Sequence, residues 1–546
     1  MDIIFYIASL GFFLWILRNT LFWVSLWQTK EYRMDRITAH FRETDKGKSL
    51  FLSWFLLIKW LLILGYFVAA FNETLFFPYQ LAVTAVFVVE GYRVINEILS
   101  HRIRRPVLTP KAIILAAITI AVIGGLYFIP FFEKFVWLLM LDRLLITVMA
   151  VAVSFFAYPT EFMQDIRIEQ AMKKINKYIS LPDDKERLLV IGISGSYGKS
   201  STKEYIAQLL SQKFSVLKTF GSHNTPIGIA NTILSGLRHQ TEVFVVELGS
   251  YKKGEITQLC QIVKPRISVT TSISDQHLSL FGSFENIMET ENELISALPK
   301  DGLALFNANN DGSKMLYRQT KKKKILYESL ENAKTSMSAK RRSNAQIVAF
   351  NIVPQKTSVV FDVLVGKKAV RFEAPLLGAH SVENILPAIY LANLLGMKMI
   401  EIKQAVAKLA PLEKRMVLHH LGKGGIAIDD TFNASPESVL SAISYMKLYK
   451  GKKILVLEPM IELGKNADED HYNLAKQIAK ICDYLFLTNK NYYKAIASGI
   501  QDGDGECMIE IESPAKIAED INNMVGKDDV IVFEGREAGL VLNKIV

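Results

Sequence analysis

The stretch GISGSYGKSST, residues 192–202, decides the fold of the larger part of this chain. A short apolar run at 188–191 precedes it, and helix-like spacing begins at Lys203. A strand, a glycine-rich turn and a helix in this order place backbone N–H groups around phosphates at the helix N-terminus. The stretch therefore predicts a phosphate-binding loop within an α/β domain.

The residues of this loop have distinct expected roles in holding a nucleotide. Lys199 would reach the β- and γ-phosphates, and the Ser200 hydroxyl would bind Mg²⁺. Ile193 stands where the general GxxxxGK[ST] pattern has its first glycine, so an ordinary glycine-rich turn is the alternative. The loop residues predicted to contact ATP are Gly195, Ser196, Gly198, Lys199, Ser200 and Ser201.

Apolar, strand-like runs alternate with helix-like segments over most of the chain after residue 188. Several of these runs end in an acidic residue, as at Glu247 and Asp430. Such alternation predicts parallel, doubly wound sheets, in which functional groups collect at the carboxyl ends of strands. Residues 345–375 alternate with period two and predict an inserted β-hairpin. We place a P-loop domain with a parallel sheet at 188–418 and a Rossmann-like domain at 419–546.

The first third of the chain is much more apolar. Five apolar stretches, near 2–26, 50–71, 74–97, 112–132 and 135–158, are each long enough to cross a bilayer. They predict an α-helical transmembrane bundle at 1–160, followed by a linker at 161–187. An interfacial or partly re-entrant bundle is the alternative. The pair Asp142–Arg143 falls inside the last stretch, where we expect the two charges to neutralise each other.

Positive charges in the loops predict the orientation of this bundle. Six Lys and Arg residues lie between 28 and 49, and four lie between 98 and 111. The positive-inside rule therefore places both loops in the cytoplasm and the N-terminus outside. Five crossings would leave the P-loop in the cytoplasm, so the sequence predicts a multi-pass cell-membrane protein with cytoplasmic catalytic domains.

Composition excludes several other classes of protein. The three cysteines, Cys260, Cys482 and Cys507, are widely separated and predict reduced thiols without a disulfide or metal framework. The net charge of +10 is partly accounted for by the basic loops, which favour anionic lipid headgroups. Basic residues are not interleaved with aromatic ones as in single-strand-binding platforms, so no nucleic-acid partner is expected. The oligomeric state is left open.

Nine ordered motifs from 192 to 472 resemble the Mur ligase family of ATP-dependent amide-bond ligases, and most closely its D-alanyl-D-alanine-adding branch. One such motif would be weak, but nine in order are specific. They are GISGSYGKSS (192–201), SHNTPIGIANTIL (222–234), VVELGSYKKGEI (245–256), SDQHLSLFGSFENI (274–287), LFNANND (305–311), LGAHSVENILPAIYLANLLG (377–396), KRMV (414–417), IDDTFNASPESV (428–439) and MIELGKNADEDHY (460–472).

The resemblance implies a reaction in which ATP phosphorylates a carboxylate and an amine attacks the acyl phosphate. It implies that Ser200 and Glu247 bind one Mg²⁺ and that His277 binds a second. Asn384 would contact adenine, and Arg415 would reach back to ATP from the hinge before the C-terminal domain. The residues implied at the substrates are Asn224, Thr225, Asp430 and Asn433, and those implied in catalysis are Lys199, His277, Glu291 and Arg415.

Three departures from the family pattern qualify these expectations. Glu291 stands where the family has a Lys modified to a carbamate, and we interpret it as an encoded carboxylate for the second Mg²⁺. The alternative is that this metal site is lost and that Glu291 is a solvated acid like its neighbours Glu289 and Glu293. Glu458 and Glu534 are also unusual, which leaves the identity of the amine open.

The third departure is the N-terminal region, where the apolar bundle replaces the family's UDP-sugar-binding domain. A muramoyl-peptide-like acceptor would then be held by a lipid, as a lipid-linked cell-envelope precursor. A ligase that acts on a non-muramoyl envelope precursor is an alternative. Two further interpretations stay open: an ATP-binding membrane scaffold that has lost ligation, and a transporter energised by the P-loop. Retention of the ATP and Mg²⁺ residues argues against the first, and the absence of a second nucleotide-domain signature argues against the other.

Overall fold

A computed structural model gives the architecture of the chain, which divides into two compact units, Met1–Ile166 and Arg167–Val546. His277 and most of the basic loop at 28–49 lie outside the described residues. The structure describes residues 2–29, 32, 37, 54–100, 103–129, 131–181, 183, 187–221, 223–274, 281–366, 368–422, 424–460, 463 and 466–546, with the backbone alone for 2 and 155–162.

The first unit is built from long apolar helices. Four of them are long and apolar enough to cross a membrane, over residues 3–29, 73–99, 110–127 and 134–154. The second of the five predicted spans is shorter, with 16 described residues. The helices of this unit within the described ranges are α1 (Asp2–Thr29), α2 (Trp54–Ala69), α3 (Glu73–Leu99), α4 (Pro110–Tyr127) and α5 (Lys134–Ile179), of which the last continues into the second unit.

A cluster of charged side chains lies inside this bundle. The Lys59 ammonium is 2.7 Å from Glu90 Oε1 and 2.8 Å from Asp142 Oδ2, and all three side chains are about 1% exposed. Arg143 also pairs with Asp142, and Trp15 Nε1 donates to Asp142 Oδ1 at 3.1 Å. The expected pair Asp142–Arg143 is therefore present, and a second buried pair joins it. Two positive and two negative charges balance within the cluster.

The segment at 161–187, predicted as a linker, contributes structure to the second unit. Helix α5 continues through it to Ile179, and Ala171 and Ile175 are buried in the same apolar cluster as Val190. Lys174 Nζ donates to the backbone carbonyls of Ile233 and Leu234 at 3.1 and 2.9 Å. The end of α5 is therefore part of the core of the second unit.

The first sheet of the second unit has nine strands in the order β2-β3-β1-β4-β5-β6-β7-β8-β9. The strands are parallel as far as β7, and β8 and β9 then continue the sheet antiparallel. The sheet is thus mixed, because the predicted hairpin pairs with β6 instead of standing apart. Its strands are β1 (Leu189–Ser194), β2 (Val216–Lys218), β3 (Val243–Glu247), β4 (Ile267–Thr270), β5 (Leu303–Asn307), β6 (Lys323–Leu330), β7 (Ile347–Pro354), β8 (Val359–Val365) and β9 (Lys368–Ala374).

Helices cover this sheet and supply several residues of the candidate site. They follow the strands in the α/β alternation expected from the sequence. They are α6 (Lys199–Leu210), α7 (Pro226–Gly236), α8 (Glu255–Val263), α9 (Phe284–Ala297), α10 (Asp311–Gln319), α11 (Ser336–Arg342), α12 (Ser381–Leu394) and α13 (Met399–Val406).

The second sheet has six strands in the order β10-β11-β15-β12-β13-β14, all parallel except β10. The carboxyl ends of β11, β15 and β12 therefore lie side by side at one edge. The strands are β10 (Val417–His420), β11 (Ile426–Asp430), β12 (Lys453–Leu457), β13 (Tyr484–Leu487), β14 (Met508–Ile511) and β15 (Val530–Glu534). The helices are α14 (Pro436–Met446), α15 (Ala467–Ala479), α16 (Tyr493–Gln501), α17 (Pro514–Met524) and α18 (Arg536–Leu542).

Candidate active site

The predicted phosphate-binding loop connects β1 to α6. Gly195 and Gly198 adopt left-handed φ angles of +131° and +80°. A Cβ atom would come within 2.2 Å of Thr271 Oγ1 at the first position and within 2.5 Å of Asn384 Oδ1 at the second. Both positions therefore require glycine. Helix α6 begins at Lys199, four residues before the predicted start, so the whole KSST segment forms its first turn.

The end of β4 holds this loop in place. Ser196 N–H donates to Ser272 O at 2.6 Å, and Thr271 Oγ1 donates to Tyr197 O at 2.6 Å and Ser194 O at 3.1 Å. These bonds fix the loop from the neighbouring parallel strand. Backbone N–H groups at the start of α6 remain directed out of the helix, as expected for an anion site.

Lys199 lies over the loop from which it projects. Its ammonium donates to Ser196 O at 2.8 Å and to Gly195 O. Burial lowers the pKa of Lys199, while the negative charges of Glu247 and Glu291 act in the opposite direction. A half-buried ammonium that is held by neutral carbonyls and attracted by two carboxylates is a favourable arrangement for binding phosphate oxygens.

Glu291 faces the same pocket as the loop. Its side chain is buried, and its Oε2 has no hydrogen-bond partner among the described residues. Burial raises the pKa of Glu291, and the nearby Lys199 opposes this rise. Glu289, by contrast, is exposed and paired with Lys253, so Glu291 is not a solvated acid of the same kind. The pocket is lined by Gly195, Ser196, Lys199, Asn224, Gly249, Ser250, Tyr251, Phe281, Ile287 and Glu291.

Glu247 ends β3 beside this pocket. Asn224 Nδ2 donates to Glu247 Oε1 at 3.0 Å, which places one predicted substrate residue next to a predicted metal ligand. Among the described residues Glu247 Oε2 has no hydrogen-bond partner, and it forms an ion pair with Lys203 Nζ at 3.6 Å. The hydroxyl of Thr225 accepts from the Gly228 N–H at 3.3 Å, so it caps α7.

The donor set on this side of the loop fits Mg²⁺. Glu247 and Glu291 each present a buried carboxylate oxygen without a hydrogen-bond partner, and Ser200 is buried in the first turn of α6. Carboxylate and hydroxyl oxygens, completed by water and phosphate, are the ligands Mg²⁺ takes in nucleotide sites. Within the described residues, which leave out His277, no three acidic, His or Cys side chains converge on one point.

Asn384 lies on α12 against the phosphate-binding loop. Thr202 Oγ1 donates to Asn384 Oδ1 at 3.2 Å, and helix α12 starts directly after His380, as predicted. His380 is half-buried, and burial lowers its pKa to about 4. The imidazole is therefore neutral at physiological pH.

Arg415 lies at the start of the second sheet. Its guanidinium carbon is 4.1 Å from the centre of the Phe432 ring, and its Nε has no partner among the described residues. Burial lowers its pKa, while the charges of Glu247 and Asp430 counteract the shift. Arg415 is thus electrostatically coupled to acids on both sheets. The loop residue Asn433, also predicted at the substrate, is exposed.

Three residues of this site were missed by sequence reasoning. Lys203 is fully buried and faces Glu247; its spacing of four from Lys199 was a usable signal for a shared helix face. Thr271 holds the loop from the end of β4. The Tyr197 side chain bonds to Ser435 and so connects the loop to the second sheet, a contact for which the sequence carries no signal.

Comparison with known proteins identifies the two α/β domains. Family models for the Mur ligase middle domain and for the Mur ligase, glutamate ligase domain match residues 193–392 and 414–536. The UDP-N-acetylmuramoyl-tripeptide–D-alanyl-D-alanine ligase of Buchnera aphidicola subsp. Baizongia pistaciae is 28% identical over 309 residues, 57% of this chain and 65% of that protein. The enzyme of the same name from Escherichia coli K12 is 28% identical over 322 residues, 57% of this chain and 67% of that protein.

The matches span about two thirds of the length of these relatives. Among solved structures, the MurF ligase from Thermotoga maritima in complex with ADP shares the fold, with a TM-score of 0.60, 24% identity, and coverage of 70% of this chain and 83% of that one. The N-terminal helical unit precedes both matched regions and is additional to them. Through its middle and C-terminal domains, the chain belongs to the Mur ligase family.

Proposed function

We propose that this protein is a membrane-bound, ATP-dependent carbon–nitrogen ligase of the D-alanyl-D-alanine-adding type. It would activate the carboxylate of a muramoyl-peptide-like cell-envelope precursor and join it to an amino acid or to D-Ala-D-Ala. The observation that carries this proposal is the convergence of Lys199 with Glu247 and Glu291 beside the phosphate-binding loop. The names of the relatives support the choice of substrates.

In the first half-reaction the chain would bind ATP and hold its phosphates. The loop N–H groups and Lys199 would hold the β- and γ-phosphates, Asn384 would contact adenine, and Arg415 would reach the nucleotide from the second domain. Ser200 and Glu247 would hold one Mg²⁺ that neutralises phosphate charge, and His277 and Glu291 would hold a second that orients the substrate carboxylate. A carboxylate oxygen attacks the γ-phosphorus, the bond to the β-phosphate oxygen breaks, and ADP leaves.

In the second half-reaction an amine attacks the acyl carbon, and the bond to phosphate breaks. The amine nitrogen loses its extra protons as it becomes an amide, and these protons pass to the released phosphate and to solvent. Asn224, held against Glu247, lies where the acceptor would reach the metal, and Asp430 and Asn433 open the domain expected to deliver the amine. Exclusion of water matters because an acyl phosphate hydrolyses readily.

Glu291 would replace the family's carbamylated Lys with an encoded carboxylate. Its burial, its free oxygen and its place in the pocket support this role. Such a site needs no CO₂. We therefore expect turnover to be independent of added bicarbonate, measured in CO₂-depleted buffer with and without supplementation. A strict bicarbonate requirement would remove this part of the proposal.

The apolar helices would anchor the enzyme in the cell membrane, with the N-terminus outside and the ligase domains in the cytoplasm. Four described helices have the length and hydropathy for crossing. The acceptor would then be held through its lipid, at the cytoplasmic leaflet. This part fails if the isolated residues 167–546 turn over a soluble UDP-linked peptide as well as the full chain does.

The deciding experiment is phosphate release by detergent-solubilised, full-length protein with ATP and Mg²⁺. UDP-linked and lipid-linked muramoyl peptides would be paired with D-Ala-D-Ala or with single amino acids. Release that needs both an acceptor and an amine establishes ligation, and the preferred acceptor assigns the role of the bundle. Nucleotide binding without release across the panel favours a scaffold, the second candidate function, which the altered strand ends at Glu458 and Glu534 motivate.

A further inference from the structure

Arg415 is carried on a strained piece of backbone. Lys414 and Met416, on either side of it, both have left-handed φ angles, +58° and +49°. Non-glycine residues keep such angles only where their surroundings impose them. The direction of the Arg415 side chain therefore depends on whatever holds these two neighbours.

Both neighbours are held by the start of the C-terminal domain. The carboxyl of Asp430 accepts a hydrogen bond from the Met416 N–H, and the Phe432 N–H donates to Lys414 O at 3.1 Å. Phe432 also supplies the ring against which the guanidinium lies. Residues 430–432 thus hold the Lys414–Met416 segment in place. Of the two hydrogen bonds, the one from the Met416 N–H is accepted by a side chain, that of Asp430.

Asp430 is in turn paired with a second acid. Asp430 and Glu534 are register partners at the carboxyl ends of the parallel strands β11 and β15, and Glu534 is completely buried. Glu534 Oε1 receives no hydrogen bond from another donor among the described residues, so the hydrogen bond between the two carboxyls requires that one of them carries a proton. The Ser438 hydroxyl donates a hydrogen bond to Glu534 Oε2 at 3.3 Å. Burial, and then the charge of Asp430, raise the pKa of Glu534 well above its usual range, so Glu534 is the protonated partner.

We propose that Glu534 is a positioning residue for nucleotide binding: as a neutral acid it donates to Asp430, which keeps Met416 N–H bound and Arg415 directed at the nucleotide. The inference rests on the proposed function, because it needs Arg415 to contact ATP. It assigns a role to a side chain that otherwise stands as a buried acid without an evident purpose.

The pair lies among other charged groups that enter its pH dependence. Asp429 precedes Asp430 on β11, and Arg415 faces Asp430 across the hinge. Glu458, after β12, is bonded to the Glu537 N–H at 2.8 Å and interacts with Arg536. Loss of the shared proton is the change expected to weaken the hinge as pH rises.

The test compares two substitutions of Glu534 in the solubilised full chain. Glu534→Gln keeps a permanent donor to Asp430, whereas Glu534→Leu has similar volume and no donor. ATP affinity would be measured by calorimetry with Mg²⁺, from pH 6 to pH 9, alongside the thermal unfolding midpoint. We expect Glu534→Gln to bind within about twofold of the wild type, without its decline at high pH, and Glu534→Leu to bind about tenfold more weakly.

A double-mutant cycle with Arg415→Ala separates positioning from general destabilisation. If Glu534 acts through Arg415, Glu534→Leu weakens ATP binding in the wild type and has little further effect in the Arg415→Ala background. Equal losses in both backgrounds overturn the inference, as does a Glu534→Leu variant that binds like the wild type. A wild-type protein that binds no ATP overturns both this inference and the proposed function; intact binding with a failed cycle overturns this inference alone.

Discussion

The two buried charge clusters of this protein are organised in opposite ways. In the N-terminal bundle, Lys59 lies within 2.8 Å of both Glu90 and Asp142, so that opposite charges are in direct contact. Beside the phosphate-binding loop, the Lys199 ammonium donates to backbone carbonyls, although Glu247 and Glu291 attract it. The first cluster is neutralised by its own members. In the second, Lys199 donates to carbonyls and Glu291 Oε2 has no hydrogen-bond partner among the described residues, while Glu247 pairs with Lys203 at 3.6 Å.

This difference separates charges that hold helices together from charges that await a ligand. A buried ion pair in contact recovers its desolvation cost from its partner, and removing one partner leaves a buried charge uncompensated. Separated charges recover that cost only when phosphate and metal arrive. Buried charge is therefore informative about function here only when the pairing distances are considered with it.

The largest expected effect is at Lys199. Lys199→Met would remove the cation nearest the expected phosphates and lower turnover by about 10³-fold or more. Because that ammonium is bonded only to carbonyls in this structure, the unfolding midpoint should change little. Phosphate release and thermal unfolding would be measured on the same preparation. If the variant lost stability together with activity, Lys199 would be a structural charge like Lys59, and the contrast between the two clusters would be wrong.

Asp142→Ala should show the converse behaviour in the bundle. It would leave Lys59 and Arg143 with one carboxylate between them and lower the free energy of unfolding in detergent by about 3 kcal/mol. The nucleotide affinity should be unchanged, since Asp142 contacts bundle residues. Denaturant titration and ATP calorimetry would be compared with Asp165→Ala as an exposed control. Weakened ATP binding without loss of stability contradicts a purely structural cluster.

Glu291→Gln tests the ligand-binding cluster from its anionic side. Loss of one charge should lower turnover by about 10²-fold and raise the Mg²⁺ concentration needed for half-maximal rate. Glu289→Gln, on the same helix but exposed and paired with Lys253, is the matched control and should behave as the wild type. A Glu291→Gln variant with unchanged Mg²⁺ dependence would mean that the carboxylate does not act through the metal.

Short-range patterns predicted much of the second unit, because glycine spacing and strand length are local properties. The start of α6 was predicted four residues late, since Lys199–Thr202 is polar and carries no apolar periodicity. The mixed character of the first sheet was missed because strand direction depends on pairing, and β7 pairs with β6 and β8 in opposite senses.

Side-chain partnerships across distant segments could not be predicted. Lys59 meets Glu90 and Asp142 only because three helices bring them together. Asp430 meets Glu534 only because β15 is inserted between β11 and β12, against the order of the chain. The sequence places Asp430 at a strand end and Asp142 within an apolar stretch, but strand order and helix packing decide which residues they pair with.

The smallest predicted effect concerns the pair of Asp430 and Glu534. This pair is intermediate between the ion-paired cluster of the bundle and the cluster beside the phosphate-binding loop, because a shared proton joins its two carboxyls and no opposite charge does. Burial raises the pKa of Asp430 to about 7, and that of Glu534 still further, above the unfolded value near 4. A raised acid pKa contributes stability that is complete below about pH 4 and is lost as pH rises through 7. Glu534→Gln should therefore match the wild type at pH 4 and exceed its free energy of unfolding at pH 9. Urea titrations at both pH values measure this difference, and a gap of the same size at pH 4 would assign it to packing instead of to the shared proton.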